Sequence, residues 1–493
     1  MRNSVRAVTL HTALSAVVCL IVLTSVSGVA VSRDITLDQA LDIALNRTAR
    51  GGIINGNLDV AEQTYHARQI NFYVPEVSLN GSLPSYQSNQ SYDFFYGNTG
   101  KSLIKTNDLG LSSFIQLKQS LITGGDFTVQ ANLTADKSKY PNTQTLGEFV
   151  NERNRKGYFN FNYVQPLLKP SDAKNDLNNK RDDFELARFT KLEDQGNLKK
   201  DVITAYVGVL QTDLRRELAE ASYESAKLNA ENDSAMLKDG IISDDKWLET
   251  SSKRLDAELQ RFDMDNQVTE MHRQLATVLD LDASEEFNLS EPAVANVVDD
   301  ALRANVKQNW DKTLAVKRAE YQYRKAKRAA EYAAGSHGLS GNLSANYSFG
   351  RGTVKVEGAP DDNINTNSWN IGLNFTYPIW DGGASSASVK ASELQAESAR
   401  LEYEKAQKSA RAELEALTNK LDVSYRKLDI IRQQITIAEN KVEIAKGRLA
   451  NGEISELTFL DARIFYLQTK DKFFDELKNF LLNKIDLEVK LNG

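Results

Sequence analysis

The chain has a single cysteine in 493 residues, Cys19, so neither a disulfide framework nor a cysteine metal site can hold it together. Its four histidines, His11, His66, His272 and His337, form no His-x-x-x-His pair. A Walker A loop, a Gly-x-Ser-x-Gly elbow and a dinucleotide fingerprint are also missing, so the sequence offers neither an enzyme site nor a cofactor site. A net charge of −7 leaves no basic excess for nucleic acid. Only eight prolines interrupt the chain, which permits very long helices. Beyond residue 30 no segment is apolar enough to cross a bilayer as a helix, so a mature chain that spans a membrane must do so with strands.

Residues 1–30 are the exception. Arg2 and Arg6 precede an apolar run from Ala7 to Val26, followed by Ser27-Gly28-Val29-Ala30. A charged start, an apolar middle and small residues at the end describe a secretory signal cut after Gly28 or Ala30. The other reading is an uncleaved anchor, because about 20 apolar residues could span a bilayer. Val18 ahead of Cys19 speaks against lipidation.

The stretch 383–450 contains no proline. Within it Leu414, Leu417, Leu421, Leu428, Ile431, Ile435, Ala438, Val442, Ala445 and Leu449 follow a 4-3 spacing broken at Ser424. That is a coiled-coil seam, and at 1.5 Å per residue the helix measures roughly 100 Å. The stretch has a counterpart 212 positions earlier. Val164-Gln165-Pro166-Leu167-Leu168 falls on Thr376-Tyr377-Pro378-Ile379-Trp380, Asp239-Gly240 on Asn451-Gly452, and Leu279 on Leu491. The chain is two copies of one unit.

The expected layout follows. The first repeat, 31–280, opens with helices over 36–71 that meet near Gly51-Gly52 and Gly56. Strands and exposed loops fill 75–166, with 84–111 and 136–156 read as polar loops and 113–134 as a hairpin turning at Thr123-Gly124-Gly125-Asp126. A long helix over 171–238 and a return helix over 243–280 complete it. An irregular acidic link spans 281–299. The second repeat, 300–493, has a helix at 300–334, strands over 338–378 interrupted by a loop holding Gly350-Arg351-Gly352, the long helix 383–450 and a return helix at 455–491. By length, 243–280 plus 300–334 should back the first long helix, and 455–491 plus 36–71 the second. Trp369, Ile371, Leu373 and Phe375 alternate with Asn370, Gly372 and Asn374, as a wall between lipid and water requires. Four to six strands cannot close a membrane barrel, so several chains must share one.

Leu37-Asp38-Gln39-Ala40-Leu41-Asp42-Ile43-Ala44-Leu45, Tyr377-Pro378-Ile379-Trp380-Asp381-Gly382-Gly383, and Gly452-x-Ile454-Ser455 leading to Leu460-Asp461-Ala462 resemble the TolC family of outer-membrane efflux and secretion channels over about 35–491. The resemblance implies a mostly α protein with a membrane β-barrel part. Each of its two repeats would hold a pair of strands and very long coiled-coil helices, and a homotrimer would share a 12-stranded barrel continuous with a periplasmic helical tunnel. The implied partners are outer-membrane lipid, a periplasmic adaptor protein and an inner-membrane transporter of the resistance-nodulation-division, ABC or major facilitator type. The implied function is a passive exit duct for efflux or type I secretion. A structural coiled-coil protein bridging the envelope, without transport, is the alternative.

By position Asp461 carries over as a tunnel-entrance acid, with Thr458 where relatives often have another acid and Ile454 where an Arg can lock the tip. A solvated helix acid is the plain reading of Asp461. Gly240 and Gly452 read as left-handed caps at the adaptor-facing tip turns. Asp244, Asp245, Glu453 and Glu456 make that tip acidic, or simply suit helix starts. Trp369, Tyr377 and Trp380 read as membrane-interface aromatics.

Overall fold

The computed structural model describes residues 33–82, 84–94, 101–141, 148–282, 287–295 and 300–491. The signal segment 1–30 lies outside them. The elements are β1 (Arg33–Ile35), α1 (Leu37–Asn46), α2 (Ala49–Tyr73), β2 (Glu76–Gly81), β3 (Ser85–Phe94), β4 (Lys101–Ser120), β5 (Asp126–Pro141), β6 (Phe149–Leu167), α3 (Asp172–Lys238) and α4 (Asp244–Val278). They continue as β7 (Phe287–Leu289), α5 (Asp300–Gln308), α6 (Leu314–Ser336), β8 (Ser340–Val356), β9 (Asp362–Thr376), α7 (Ala384–Ala450) and α8 (Glu456–Leu491). Among the described residues no helix is long and apolar enough to cross a membrane.

The internal repeat is visible in the helices. α3 and α7 each run 67 residues, and both ends are offset by 212 positions. The seam read from the sequence is real: Leu414, Leu421, Leu428, Ala438 and Ala445 are buried. Ser424, which interrupts it, is also buried and donates its hydroxyl hydrogen to Glu476 of α8.

Where the N-terminal helices meet differs from expectation. The break falls at Arg47 and Thr48, and the three glycines lie within α2. Thr48 is buried, accepts from the Gly51 N–H and so starts α2. Gly51 permits the bend, since a Cβ there would lie 2.4 Å from the Leu45 carbonyl oxygen. The start of α1 is as expected, a capping box in which Thr36 and Gln39 exchange bonds of 3.3 and 3.1 Å.

Short helices stack end to end beside the long ones, but the partners are exchanged relative to the length argument. On one flank of α3, His272 of α4 faces Asp213, then Arg50 of α2 meets Asp201 at 2.6 Å and Arg68 meets Asp176 at 2.7 Å. α4 is therefore continued by α2, and the Ala49 N–H donates across the joint to Asp280 at 2.6 Å. On the other flank, Arg215 of α3 binds Asp471 of α8 at 2.7 Å and Lys200 binds Asp486 at 3.0 Å. Arg318 of α6 then pairs with Glu193, and Arg328 with the buried Asp182. α8 is thus continued by α6. Both orders satisfy the same sum of lengths, so length alone could not choose between them.

Around mid-length the link after α4 does more than connect. β7 pairs in parallel with β1, Ile35 opposite Leu289. The fully buried Tyr206 of α3 holds its hydroxyl 2.8 Å from the carbonyl oxygens of both Ile35 and Ser290, and burial raises its pKa. Leu198, Val202, Ile203, Phe473, Leu477 and Phe480 pack the core at this level.

The sheet carries the largest correction. Seven strands form one sheet in the order β2-β4-β5-β6-β8-β9, with β3 also on β4. β2 and β3 lie along the same side of β4, so together they form one rank and the sheet has six ranks. The second repeat has the expected pair, β8 and β9, and the first has four ranks. Segments 84–111 and 136–156, expected as loops, largely continue the strands, and Gly350-Arg351-Gly352 lies inside β8. The 113–134 hairpin joins the sheet, and its turn is tied to β6 by Thr123 and Gln165 at 2.7 Å. Matching N-caps Thr48 and Thr313 are 265 positions apart against 212 for the long helices, so the first copy holds 53 more residues between them.

Candidate functional site: a two-faced sheet and a helical tip

Antiparallel registry puts residues of one parity on one face from β4 to β9. Val77, Leu79, Ile115, Leu117, Val129, Leu133, Phe159, Phe161, Tyr347, Phe349, Trp369, Ile371, Leu373 and Phe375 share the apolar face. Phe159 stacks on Phe349 at 5.2 Å between centroids, and Trp369 stands opposite Tyr347. The other face reads Gln116, Gln130, Asn160, Ser348 and Ser368 in one row, and Asn162, Asn346 and Asn370 in another. Nearer the rim it adds Asp108, Asp136, Glu152 and Asp362. One face thus suits hydrocarbon and the other suits water.

Of the three aromatics singled out in the sequence, Tyr377 and Trp380 stand together at the β9–α7 junction, 65% and 86% exposed. Trp369 belongs to the cluster with Tyr347 and Phe161, eight residues away, or roughly 26 Å along an extended strand. At the tilt of about 40° usual for barrel strands, that separation corresponds to about 20 Å along the barrel axis, close to the height of an apolar band between two aromatic girdles. Phe159, Phe161, Tyr347 and Phe349, not chosen from the sequence, complete the outer level. Their alternation with Asn and Ser was the signal.

Where β9 turns into α7, the Asp381 carboxylate accepts from the N–H groups of Gly383 and Ser385, both at 2.9 Å. These bonds, Ser385 foremost, hold its pKa below the ordinary value. At the start of α3, Asp172 is lowered in the same way, first by the Tyr332 hydroxyl and then by Lys169. A carboxylate with a depressed folded-state pKa stabilises the fold above its unfolded value near 4, and that stability is lost as pH falls through the folded pKa. Melting followed by circular dichroism should therefore show Tm falling on acidification below about pH 4. The fall should be smaller in Asp172→Asn and Asp381→Asn. Equal acid sensitivity in all three proteins would refute the assignment.

At the far end, α3 and α7 finish with the same two backbone bonds. Ile241 N–H reaches Met236 O at 2.8 Å and Gly240 N–H reaches Leu237 O at 3.0 Å. Glu453 and Gly452 repeat the pattern to Arg448 and Leu449, both at 2.9 Å. This Schellman closure needs a left-handed residue, and Gly240 and Gly452 supply it with φ of +69° and +73°. Ser243 and Ser455 cap the return helices. Thr458 is drawn into that cap, its hydroxyl 3.0 Å from Ser455. Asp461 is exposed one turn later and has no ion pair among the described residues. Asp244, Asp245 and Glu456 are exposed in first turns, and Glu453 pairs with Arg448 at 3.2 Å. Glu249 sits between Lys253 and Lys246, whose hydrogen bonds push its pKa down to about 2.

One feature of the tip escaped the sequence reading. Val423, Ile430, Ile437 and Ile444 recur every seven residues on α7 and are 51–67% exposed. On α4, Leu248, Leu255, Leu259 and Phe262 are likewise 51–64% exposed. Since α3 packs α4 and α8, and α8 packs α7, these two stripes lie on the outermost helices of a four-helix layer α4-α3-α8-α7. Counted from the two tip turns, their heights coincide.

The comparisons follow the same outline. Residues 308–492 match the family model described as Outer membrane efflux protein. No curated protein sequence matches the chain. Among solved structures the fold is similar to the CmeC outer membrane channel of Campylobacter jejuni, with TM-score 0.59 and 13% identity over 93% of this chain and 85% of that one. It is similar also to the outer membrane protein VceC of Vibrio cholerae, at 0.56 and 12% over 93% and 96%. A membrane protein from Pseudomonas aeruginosa gives 0.58 and 16% over 92% and 93%. Residues 308–492 are thus similar to outer membrane efflux proteins, and the chain shares its fold with these solved outer-membrane channels over nearly its whole length.

Proposed function

We propose that the chain is one wall segment of an outer-membrane exit duct, a passive conduit in which several copies close one barrel above one helical tunnel. The observation that carries this is the pair of unmatched edges. The sheet ends in β2–β3 on one side and β9 on the other, and the helical layer ends in α4 and α7. An open sheet edge cannot stand in lipid, and a head-to-tail interface repeated around an axis closes into a ring. A homotrimer, as in the resembled family, would assemble 18 strands rather than 12 and twelve helices at the tip level. A tether bridging the envelope would need neither the two-faced sheet nor open edges left for other copies to pair.

In this reading Asp461 and Thr458 flank the tunnel entrance, and the Gly240 and Gly452 turns, with Asp244, Asp245, Glu453 and Glu456, face a periplasmic adaptor and an inner-membrane transporter. Pump class, and efflux against type I secretion, follow from those partners. The test is single-channel recording of the full chain in planar bilayers. A large water-filled conductance is expected, and Asp461→Ala should weaken its block by divalent cations added from the tip side. A protein that inserts without conducting would leave the tether as the better reading. Unchanged block would remove Asp461 from the entrance.

A further inference from the structure

The apolar face does not end where its aromatics end. Continuing outward, away from the helices, the same face presents Arg351 opposite Gly157, then Arg155, then Lys137, Arg153 and Lys355 in one row, then Lys139. All six are exposed. Of the acids at this height, Asp108, Asp136, Glu152 and Asp362 project to the other face. The outer face thus gathers these six cations against two acids at its edge, Asp361 beside Lys355 and Glu357 beside Asn151, while the polar face carries the other acids together with Lys156.

The middle row poses a physical problem. Lys137 stands directly opposite Arg153, and Arg153 directly opposite Lys355. Like charges opposed across strands destabilise a sheet. Lys355 is relieved by Asp361, and Lys139 lies 5.0 Å over the Phe149 ring. Lys137, Arg153, Arg155 and Arg351 have neither an ion pair nor a side-chain hydrogen bond among the described residues. A row of cations on a face that is otherwise apolar is stable where external anions stand beside it.

Position identifies those anions. The first cation lies two residues beyond Phe159 and the last, at the level of Lys139 and Asn151, eight beyond. At about 3.3 Å per residue and a tilt near 40°, the cations sit roughly 5–20 Å above the outer aromatic level. The inner part of that span, holding Arg351 and Arg155, is the headgroup layer, about 5–8 Å deep on each side of a bilayer, and the long side chains of the Lys137, Arg153 and Lys355 row reach back toward it. We infer that Lys137, Arg153, Arg155, Arg351 and Lys355 form a girdle that binds the phosphate groups of outer-leaflet lipids around the barrel. The inference rests on the reading of the apolar face as membrane wall. Arginine forks, here on β6 and β8, suit phosphate oxygens bidentately, and β5, β6 and β8 set lysines and arginines side by side.

The test uses the assembled full chain in detergent, with dioleoyl phosphatidic acid and dioleoyl phosphatidylcholine as probes and bound lipids counted by native mass spectrometry. The wild type should retain phosphatidic acid at least about tenfold more tightly, and high salt should erase the difference. The combination Lys137→Gln, Arg153→Gln, Arg155→Gln and Arg351→Gln should lose the preference. Lys118→Gln with Lys156→Gln, on the opposite face, should keep it. Equal retention of both lipids by the wild type, or a preference that survives the fourfold change, overturns the girdle and leaves the membrane wall intact. Retention of neither lipid removes the wall and the girdle together. Displacement of phosphatidic acid by excess inorganic phosphate would make the free ion the ligand and overturn the lipid assignment. Should the fourfold variant fail to assemble, the lipid preference and salt response of the wild type decide the matter alone.

Discussion

A chain lacking β4 and β5, residues 101–141, will still assemble but will admit only smaller polymers from its outer side. The up-and-down order makes the deletion feasible. β2–β3 runs away from the helices and β6 runs back, so removing one intervening hairpin leaves an antiparallel pair. The rank formed by Glu76–Phe94 and the strand Phe149–Leu167 have the same span, so their ends can match. Barrel diameter grows roughly linearly with strand number, so going from 18 to 12 strands reduces the cross-section to about 0.44 of its value. Conductance alone would blur the effect, because the tunnel tip lies in series. The size of polyethylene glycol that partitions into the pore from the outer side reads the barrel directly, and its upper limit should drop. An unchanged limit in an intact assembly would mean that β4 and β5 fold away from the wall, and the barrel would have 12 strands after all.

In the proposed homotrimer, replacing Ile430 and Ile437 together by Asp should convert three chains to one without melting the helices. Both side chains lie on the α7 stripe that faces no helix of its own chain, while Leu414, Leu421 and Leu428 point inward and are buried. Burying an Ile contributes about 1.5–3 kcal/mol, and a carboxylate forced into an apolar seam costs several more. Over three equivalent interfaces the loss is on the order of 10 kcal/mol, enough to dissociate a ring. Native mass spectrometry reads the oligomer and circular dichroism the helices. A surviving three-chain mass would show that the stripe does not lie between subunits. Leu428→Asp serves as the contrast, since it should unfold the α7–α8 pair itself.

How far the sequence could be read depends on what solvent each segment meets. The long helices, to within a residue or two of their ends, and the tip turns were legible, because a seven-residue seam and a left-handed glycine leave signals that need no tertiary context. The outer halves of the strands were not. Inside a membrane, alternation of apolar and polar residues marks a strand, as in Trp369–Phe375. Beyond the membrane both faces meet water or headgroups, so Lys137, Ser138 and Lys139 alternate nothing that resembles a strand and read as a loop. The second stripe on α7 was hidden for a different reason. Ile430 and Ile431, and Ile437 and Ala438, are neighbours about 100° apart that serve different faces, and the first seam accounted for the apolar content. The exchange of α2 and α6 between flanks lay outside sequence reasoning, since their lengths fit either place.

That exchange has a mechanical consequence. At mid-length α4 gives way to α2, and α8 gives way to α6, whereas α3 and α7 pass through unbroken. Each chain therefore has two continuous rods and two jointed ones, arranged in alternation. A twist applied at the tip reaches the sheet only through α3 and α7, while the joints beside Asp280 and Arg318 take up the difference as slip. In the proposed duct, this division lets the lower helices turn about their rods while the strand wall above stays still.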